Sequence, residues 1–268
     1  GLRLYQAVLR FHAADRDPAA RTDADLWRLE FAHAHAVGAS RDARYAAALE
    51  HVIARDAAHE LSARAIHMLA SLRNEQGDPV EAHRLARRGR DRFPQSVGGR
   101  RCHNLVLEIE AKSVSVTMSE NVWNTPRPTL EVNYRNLERV WFRLVPFDFA
   151  SELRNGSSRG YYYGVYNADI DSILRRPPTR QWSVTMPGTP DFRARTERVP
   201  VPWRIPPGSY YLVSSARPDF GQDQNTIAVA VVWVSELSLV LRDGRPSGLE
   251  GFVLRAGSGA PVAGAEVR

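Results

Sequence analysis

Histidine, cysteine and clustered tyrosine are the side chains here with chemistry to offer, and their spacing decides what they can do. His51, His59 and His67 recur every eight residues. A helical metal motif needs ligands three or four residues apart, so that both stand on one face, and His59-Glu60 is not followed by such a second histidine. His33 and His35 fall on opposite flanks of their segment. Polar histidines on solvent-facing or inter-helix surfaces are the simpler reading, and no metal site is expected. Acyl transfer is no better supplied, because the chain has no Gly-x-Ser-x-Gly turn and its histidines all precede residue 112, whereas the serine-rich loops follow it. Cys102 is the sole cysteine, and His103 cannot face it from the next helical position. A buried small hydrophobe accounts for it. One cysteine also excludes a disulfide framework or a thiolate zinc cluster. No phosphate-cradling glycine motif occurs, and runs such as Asp243 to Gly248 read as turns. The chain is expected to be no enzyme and to need no cofactor.

Binding is the remaining option. Tyr161, Tyr162, Tyr163 and Tyr166, with Trp182 and Trp203, are the one aromatic concentration. Such rings anchor protein, sugar or base partners because they offer area at low entropic cost. The alternative is that they fill a β core or cover its edge, since strands favour aromatics. Trp27 and Tyr45, nearer the amino end, would favour peptide binding if a helical groove lies open beside them.

These residues must be positioned by elements, and the composition describes an ordinary soluble-type chain. Its 268 residues suit one to three domains, with two the default. Apolar residues make up 43% and charged residues 25%, both average for globular proteins, and no apolar run approaches the roughly 18 residues that span a bilayer. No direct membrane insertion is expected. The net charge is +6, yet of 36 basic residues only Lys112 is lysine, which reads as a compositional bias. Acidic and basic residues interleave in both halves, so a mixed-charge surface is expected and no nucleic acid.

The period of the apolar residues changes near residue 112. Before it, Leu26, Leu29, Ala32 and Ala36 mark a helix entered through Thr22 or Asp23 and ended near Gly38. Tyr45, Ala48, Leu49, Val52 and Ile53 mark a second, and Leu61, Ala65, Met68, Leu69 and Leu72 a third. Pro79 opens the next, which carries Ala82, Leu85 and Ala86 and finishes at Phe93-Pro94. Leu105, Val106 and Ile109 define another after a break at Gly98-Gly99. Ala48 and Ala82 lie 34 residues apart, the tetratricopeptide period, and residues 77–96 resemble the turn and second helix of such a repeat. A plain helical bundle would pack such helices similarly. From Ser113 the period is two: residues 113–118, 129–134, 139–147, 208–216 and 226–234 read as strands between Pro and Gly turns, which favours a sandwich. Residues 149–187 make a long insertion, in which 169–178 could form a short helix capped by Asp169 or Asp171.

The order of these segments resembles the amino-terminal region of the bacterial alpha-2-macroglobulin family, where a tetratricopeptide-like helical stretch leads into macroglobulin domains. The residues that carry it are 93–116 (FPQSVGGRRCHNLVLEIEAKSVSV), 134–148 (YRNLERVWFRLVPFD), 187–213 and 234–242 (VSELSLVLR), with 258–268 resembling the strand entry of a following domain. The resemblance spans about residues 40–268. It implies an all-α tetratricopeptide-like domain over 1–112, an immunoglobulin-like (macroglobulin) antiparallel β-sandwich over 113–236, and the first strands of a further, truncated macroglobulin-like domain over 237–268. Since Gly1-Leu2-Arg3-Leu4 carries no initiator Met or leader, the chain reads as a fragment of something longer. Members of that family are large periplasmic, envelope-associated or secreted proteins thought to trap proteases, with a bait region and often a thioester in later domains. The thioester needs a Cys followed closely by Glu-Gln, whereas Cys102 is followed by His103-Asn104, so no trapping residue carries over. A non-catalytic scaffold with a protein partner, a protease or an envelope protein, is therefore expected. The alternative is a protein- or glycan-binding envelope module without an inhibitory role.

Overall fold

A computed structural model describes residues 1–117, 122–124, 127–149, 151, 170–244 and 248–266. Two compact units are present. One comprises Gly1–Ala111 with Asp191–Arg193, the other Lys112–Pro190 with Ala194–Arg268. The first is helical and the second is built of strands, so the α-then-β order expected from the change of period is observed.

The helical unit contains α1 (Leu2–Phe11), α2 (Ala19–His35), α3 (Arg41–Arg55), α4 (Leu61–Glu75), α5 (Pro79–Arg92) and α6 (Val97–Glu110). Residues at three- and four-residue spacing supply its core: Leu26 and Leu29 from α2, Leu49, Val52 and Ile53 from α3, Ile66 and Leu69 from α4, Ala82, Leu85 and Ala86 from α5, Leu105, Val106 and Ile109 from α6. On α3 the fully buried alanine is Ala46, and Ala48 is only half-buried against the same core. Helix α5 starts as expected, with Pro79 in its first turn and the Asp78 carboxylate accepting from the Glu81 N–H at 3.1 Å.

Three boundaries differ from expectation, each for a physical reason. Helix α2 begins at Ala19, whose N–H donates to Asp17 at 2.9 Å. Thr22 therefore lies inside the helix, where its buried hydroxyl donates to Asp56 at 2.6 Å and caps nothing. The same helix ends at His35, three residues before the positive-φ Gly38. Gly98 and Gly99, expected as a break, form the first turn of α6, with Ser96 accepting from the Gly99 N–H at 2.9 Å. A Cβ on Gly98 would lie 2.3 Å from the Arg64 backbone nitrogen, and one on Gly99 1.8 Å from the Phe93 carbonyl oxygen. Glycine is needed there for close helix approach.

A buried ionic cluster ties α2 to α3. Asp56, just past α3, accepts from Arg55 at 2.8 Å and from Arg21 at 3.1 Å besides Thr22, while Asp25 accepts from Arg28 at 2.7 Å and Arg55 at 3.0 Å. Burial opposes ionisation of Asp56, but the Arg55 and Thr22 hydrogen bonds and the Arg21 charge outweigh it and hold the carboxyl below its ordinary range.

The β unit holds β1 (Ser113–Thr117), β2 (Val122–Trp123), β3 (Thr129–Arg135), β4 (Arg139–Phe147), α7 (Ile170–Arg175), β5 (Arg180–Thr185), β6 (Arg195–Pro200), β7 (Gly208–Ser215), β8 (Ile227–Val234), β9 (Leu237–Gly244) and β10 (Gly248–Arg255). Three sheets form, in the orders β1-β3-β6, β2-β8-β7-β4-β5 and β10-β9. The first two share one core, to which alternate residues point: Leu130, Val132 and Tyr134 from β3, Val140, Phe142 and Leu144 from β4, Leu212 from β7 and Val232 from β8. Pairing is antiparallel except between β2 and β8, which run parallel with Val122 opposite Trp233. An entirely antiparallel arrangement was expected, and this correction arises because the short β2 follows β1 out of its sheet and joins the far edge of the other.

The outer face of the five-stranded sheet carries a second cluster, in which Ile173 of α7 packs with Val145, Tyr211, Val213 and Phe220. Strand β8, expected to be buried on both faces, is only half-buried at Val229 and Val231 on this side. The β9–β10 hairpin leaves Leu239, Val240, Leu241 and Phe252 each about half exposed. Leu239 and Leu241 point to one face and Val240 and Phe252 to the other, so both faces are apolar.

Candidate functional site

Tyr161, Tyr162, Tyr163 and Tyr166 lie outside the described residues. Trp182 and Trp203 are described, and they belong to the β core. Trp182 stacks on Phe142 with ring centroids 5.1 Å apart and meets Trp203 edge-on at 5.3 Å. Both indole nitrogens are buried without a hydrogen-bond partner among the described residues.

Cys102 is fully buried, with Sγ 3.6 Å from the Ala63 carbonyl oxygen, and burial pushes its thiol pKa up to about 12. It stays protonated at neutral pH and offers no nucleophile. Four histidines each face one carboxylate: His12 with Asp15 at 2.7 Å, His33 with Asp42 at 2.8 Å, His59 with Asp17 at 3.6 Å and His83 with Glu110 at 2.7 Å. Among the described residues no three His, Cys, Asp or Glu side chains converge as metal ligands would.

One feature of the helical unit that can receive a ligand is a groove of about 260 Å³. Its floor is one face of α4, made by Arg64, His67, Met68, Ser71, Leu72 and Glu75. Successive offsets of three and four keep these residues aligned along the helix. Glu30, His33 and Ala34 of α2 and Tyr45 of α3 form one wall, and Arg101 of α6 stands on the other. Of the two residues expected to line a helical groove, Tyr45 lines this one and Trp27 does not; the other lining residues were missed because they are a mixture of polar and apolar types without a motif.

The charges in the groove are not equivalent. Arg64 is spent: its guanidinium lies 2.6 Å from Asp23, 3.7 Å from Glu30 and 4.5 Å over the Trp27 ring. The His33 ring stacks on Tyr45 at 4.1 Å, and its contact with Asp42 holds that carboxyl below the usual range, with Arg41 adding to the effect. Burial, reinforced by the Glu30 charge, pushes the Tyr45 hydroxyl up to about 12, so it remains a donor. His67 is lowered by burial and by the Arg101 charge, which leaves it neutral at pH 7, and its Nδ1 is buried without a hydrogen-bond partner among the described residues. Arg101 and Glu75 form no ion pair among the described residues. Ser71 lies one turn beyond His67 with no hydrogen bond joining them, so the groove sets no nucleophile against a base.

A second depression, of about 300 Å³, lies in the β unit beside Trp123 and Ile205. There Arg204 and Glu236 pair with each other at 2.5 Å. No helix among the described residues is long and apolar enough to cross a membrane.

No protein-family model matches the chain, and no curated protein sequence matches it. Among solved structures it is similar to a crystal structure of native alpha-2-macroglobulin from Escherichia coli spanning domains NIE-MG1, at 15% identity and a TM-score of 0.39, over 56% of this chain and 73% of that one. A second, spanning domains MG0-NIE-MG1, aligns at 14% identity and a TM-score of 0.38, over 56% of this chain and 47% of that one. Both are structures of the family that the sequence resembles.

Proposed function

We propose that this chain is a non-catalytic scaffold and interaction part of a large bacterial protein of the alpha-2-macroglobulin kind, located in the envelope or secreted, whose full-length form traps proteases. The observation that carries the reading is the succession of parts. A helical array runs through α6 directly into β1, a two-sheet unit follows, and a hairpin apolar on both faces comes next, within the stretches whose residues resemble that family.

Two finer features support it. Alternate helices α2, α4 and α6 supply most of one groove, whereas α3 and α5 flank α4 around a different depression, at Ile53, Leu69 and Leu85. Gly98 at the start of α6 also meets Ala63 and Arg64 at the start of α4, so these two helices run the same way, as in an array of tetratricopeptide-like hairpins. In the β unit, the chain crosses from the β1-β3-β6 sheet to pair in parallel with the last strand of the other, and Tyr210 near the start of β7 donates its hydroxyl to the Pro206 carbonyl at 2.9 Å. A tyrosine so placed, bonding back to the preceding turn, is a feature of immunoglobulin-like sandwiches. On this reading residues 113–236 are one such domain and 237–268 begin another.

The test is to incubate the full-length gene product with serine, cysteine and metallo-endopeptidases. Trapping predicts that cleavage of large protein substrates falls while cleavage of short peptides persists. Unchanged cleavage of both by every protease overturns the inhibitory reading. The second reading, an envelope-binding module, is favoured by the open groove on α4 and is decided by direct binding measurements.

A further inference from the structure

We infer that the α4 groove binds an extended peptide segment bearing an acidic side chain and a basic side chain about four residues apart. The inference rests on the groove acting in recognition and does not depend on protease trapping.

The two uncommitted charges determine the ligand. Arg101 sits beside His67, and because Gly98 packs on Ala63 and Arg64, this part of α6 lies along the amino-terminal half of α4. Glu75 is the last residue of α4 and so stands at the opposite end of the floor, while Glu30 faces Arg64 nearer the start of the helix. The groove is therefore positive at one end and negative at the other. His67 is neutral, so Arg101 alone supplies the positive charge. Between them lie Met68, Ser71 and Leu72, half-buried or buried, which offer a mostly apolar strip.

Length selects the spacing. From His67 to Glu75 is eight residues, roughly 12 Å along a helix, and an extended chain covers that in about four residues at ~3.3 Å each. Side chains four apart on an extended peptide point the same way, so both charges can reach the floor. The shape favours an extended ligand: the groove of about 260 Å³ is an open trough, at the small end of the ~300–1,000 Å³ of sites that enclose small molecules. Arg101 and Glu75 are exposed and form no ion pair among the described residues, so little desolvation opposes their engagement, and the affinity gained is modest.

The probe is an amino-terminally labelled, carboxy-terminally amidated peptide Glu-Ala-Val-Ala-Arg, measured against the intact chain by fluorescence anisotropy at low salt. Companion peptides replace Glu by Gln, or Arg by Gln, or place Glu and Arg adjacent. Micromolar to sub-millimolar binding is expected, about five- to tenfold weaker for each companion. Arg101→Gln should weaken the parent peptide by the same factor and abolish the preference for Glu over Gln while keeping the preference for Arg. Glu75→Gln should do the converse. Both side chains are exposed, so helical circular dichroism should not change. No binding at millimolar peptide, or equal weakening of all four peptides by both variants, overturns the inference. A failure of protease trapping leaves it standing, and a failure of peptide binding leaves the trapping reading untouched.

Discussion

Asp56 shows how a single residue couples burial to stability. It is 5% exposed and its carboxylate accepts from Thr22, Arg21 and Arg55. Replacing it by Ala leaves the Thr22 hydroxyl and the Arg21 guanidinium without this acceptor and Arg55 with Asp25 alone, at a cost of about 3 kcal/mol. Urea unfolding of Asp56→Ala should show that loss at pH 7. Because the folded carboxyl titrates below its ordinary value of 3.8, its contribution is present above that value and is lost as pH falls beneath it. The wild-type and Asp56→Ala stabilities should therefore converge in acid. Cys102 behaves oppositely: its folded pKa of about 12 exceeds the ordinary 9.0, so the unfolded state ionises first and stability declines as pH rises from 9 toward 12. At pH 8 a thiol reagent should label Cys102 only after denaturant is added. Immediate labelling would show that the helical core opens.

At the scale of elements, the start of α6 is set by contact with α4. Gly98→Ala places a Cβ 2.3 Å from backbone nitrogen and 2.5 Å from the Ala63 backbone carbon, neither of which can rotate away. A loss of about 2–3 kcal/mol is expected, seen as a lower melting temperature. Gly257→Ala, with nothing within 4 Å and no positive φ, is the control that should change little. The β9–β10 hairpin makes a separate prediction. Two strands with apolar residues exposed on both faces have little burial to hold them, so their amides should exchange with deuterium far faster than those of β4 and β7 in the same chain. Equal protection would mean that the hairpin is covered in solution.

For the whole molecule, the change of apolar period near residue 112 determined the class and order of the two parts, because periods of 3.6 and 2 follow from backbone geometry alone. Helices α3 to α5 and strands β1, β3, β4, β7 and β8 were legible for that reason, and the burial of Cys102 was legible from its type. Helix α1 was not read, although its ten residues are strongly amphipathic, and none of its side chains is fully buried. Strands β2, β5, β6 and β10 were missed because they are short, polar or glycine-bearing and owe their conformation to partners distant in sequence. The binding candidates divide the same way. The sequence pointed to tyrosines and tryptophans by composition, of which Trp182 and Trp203 lie in a core. Only the tertiary structure decided that Arg101 and Glu75, 26 positions apart, share one groove with opposite charges uncommitted. Periodicity is a property of neighbours along the chain, whereas a groove is made by helices that packing brings side by side.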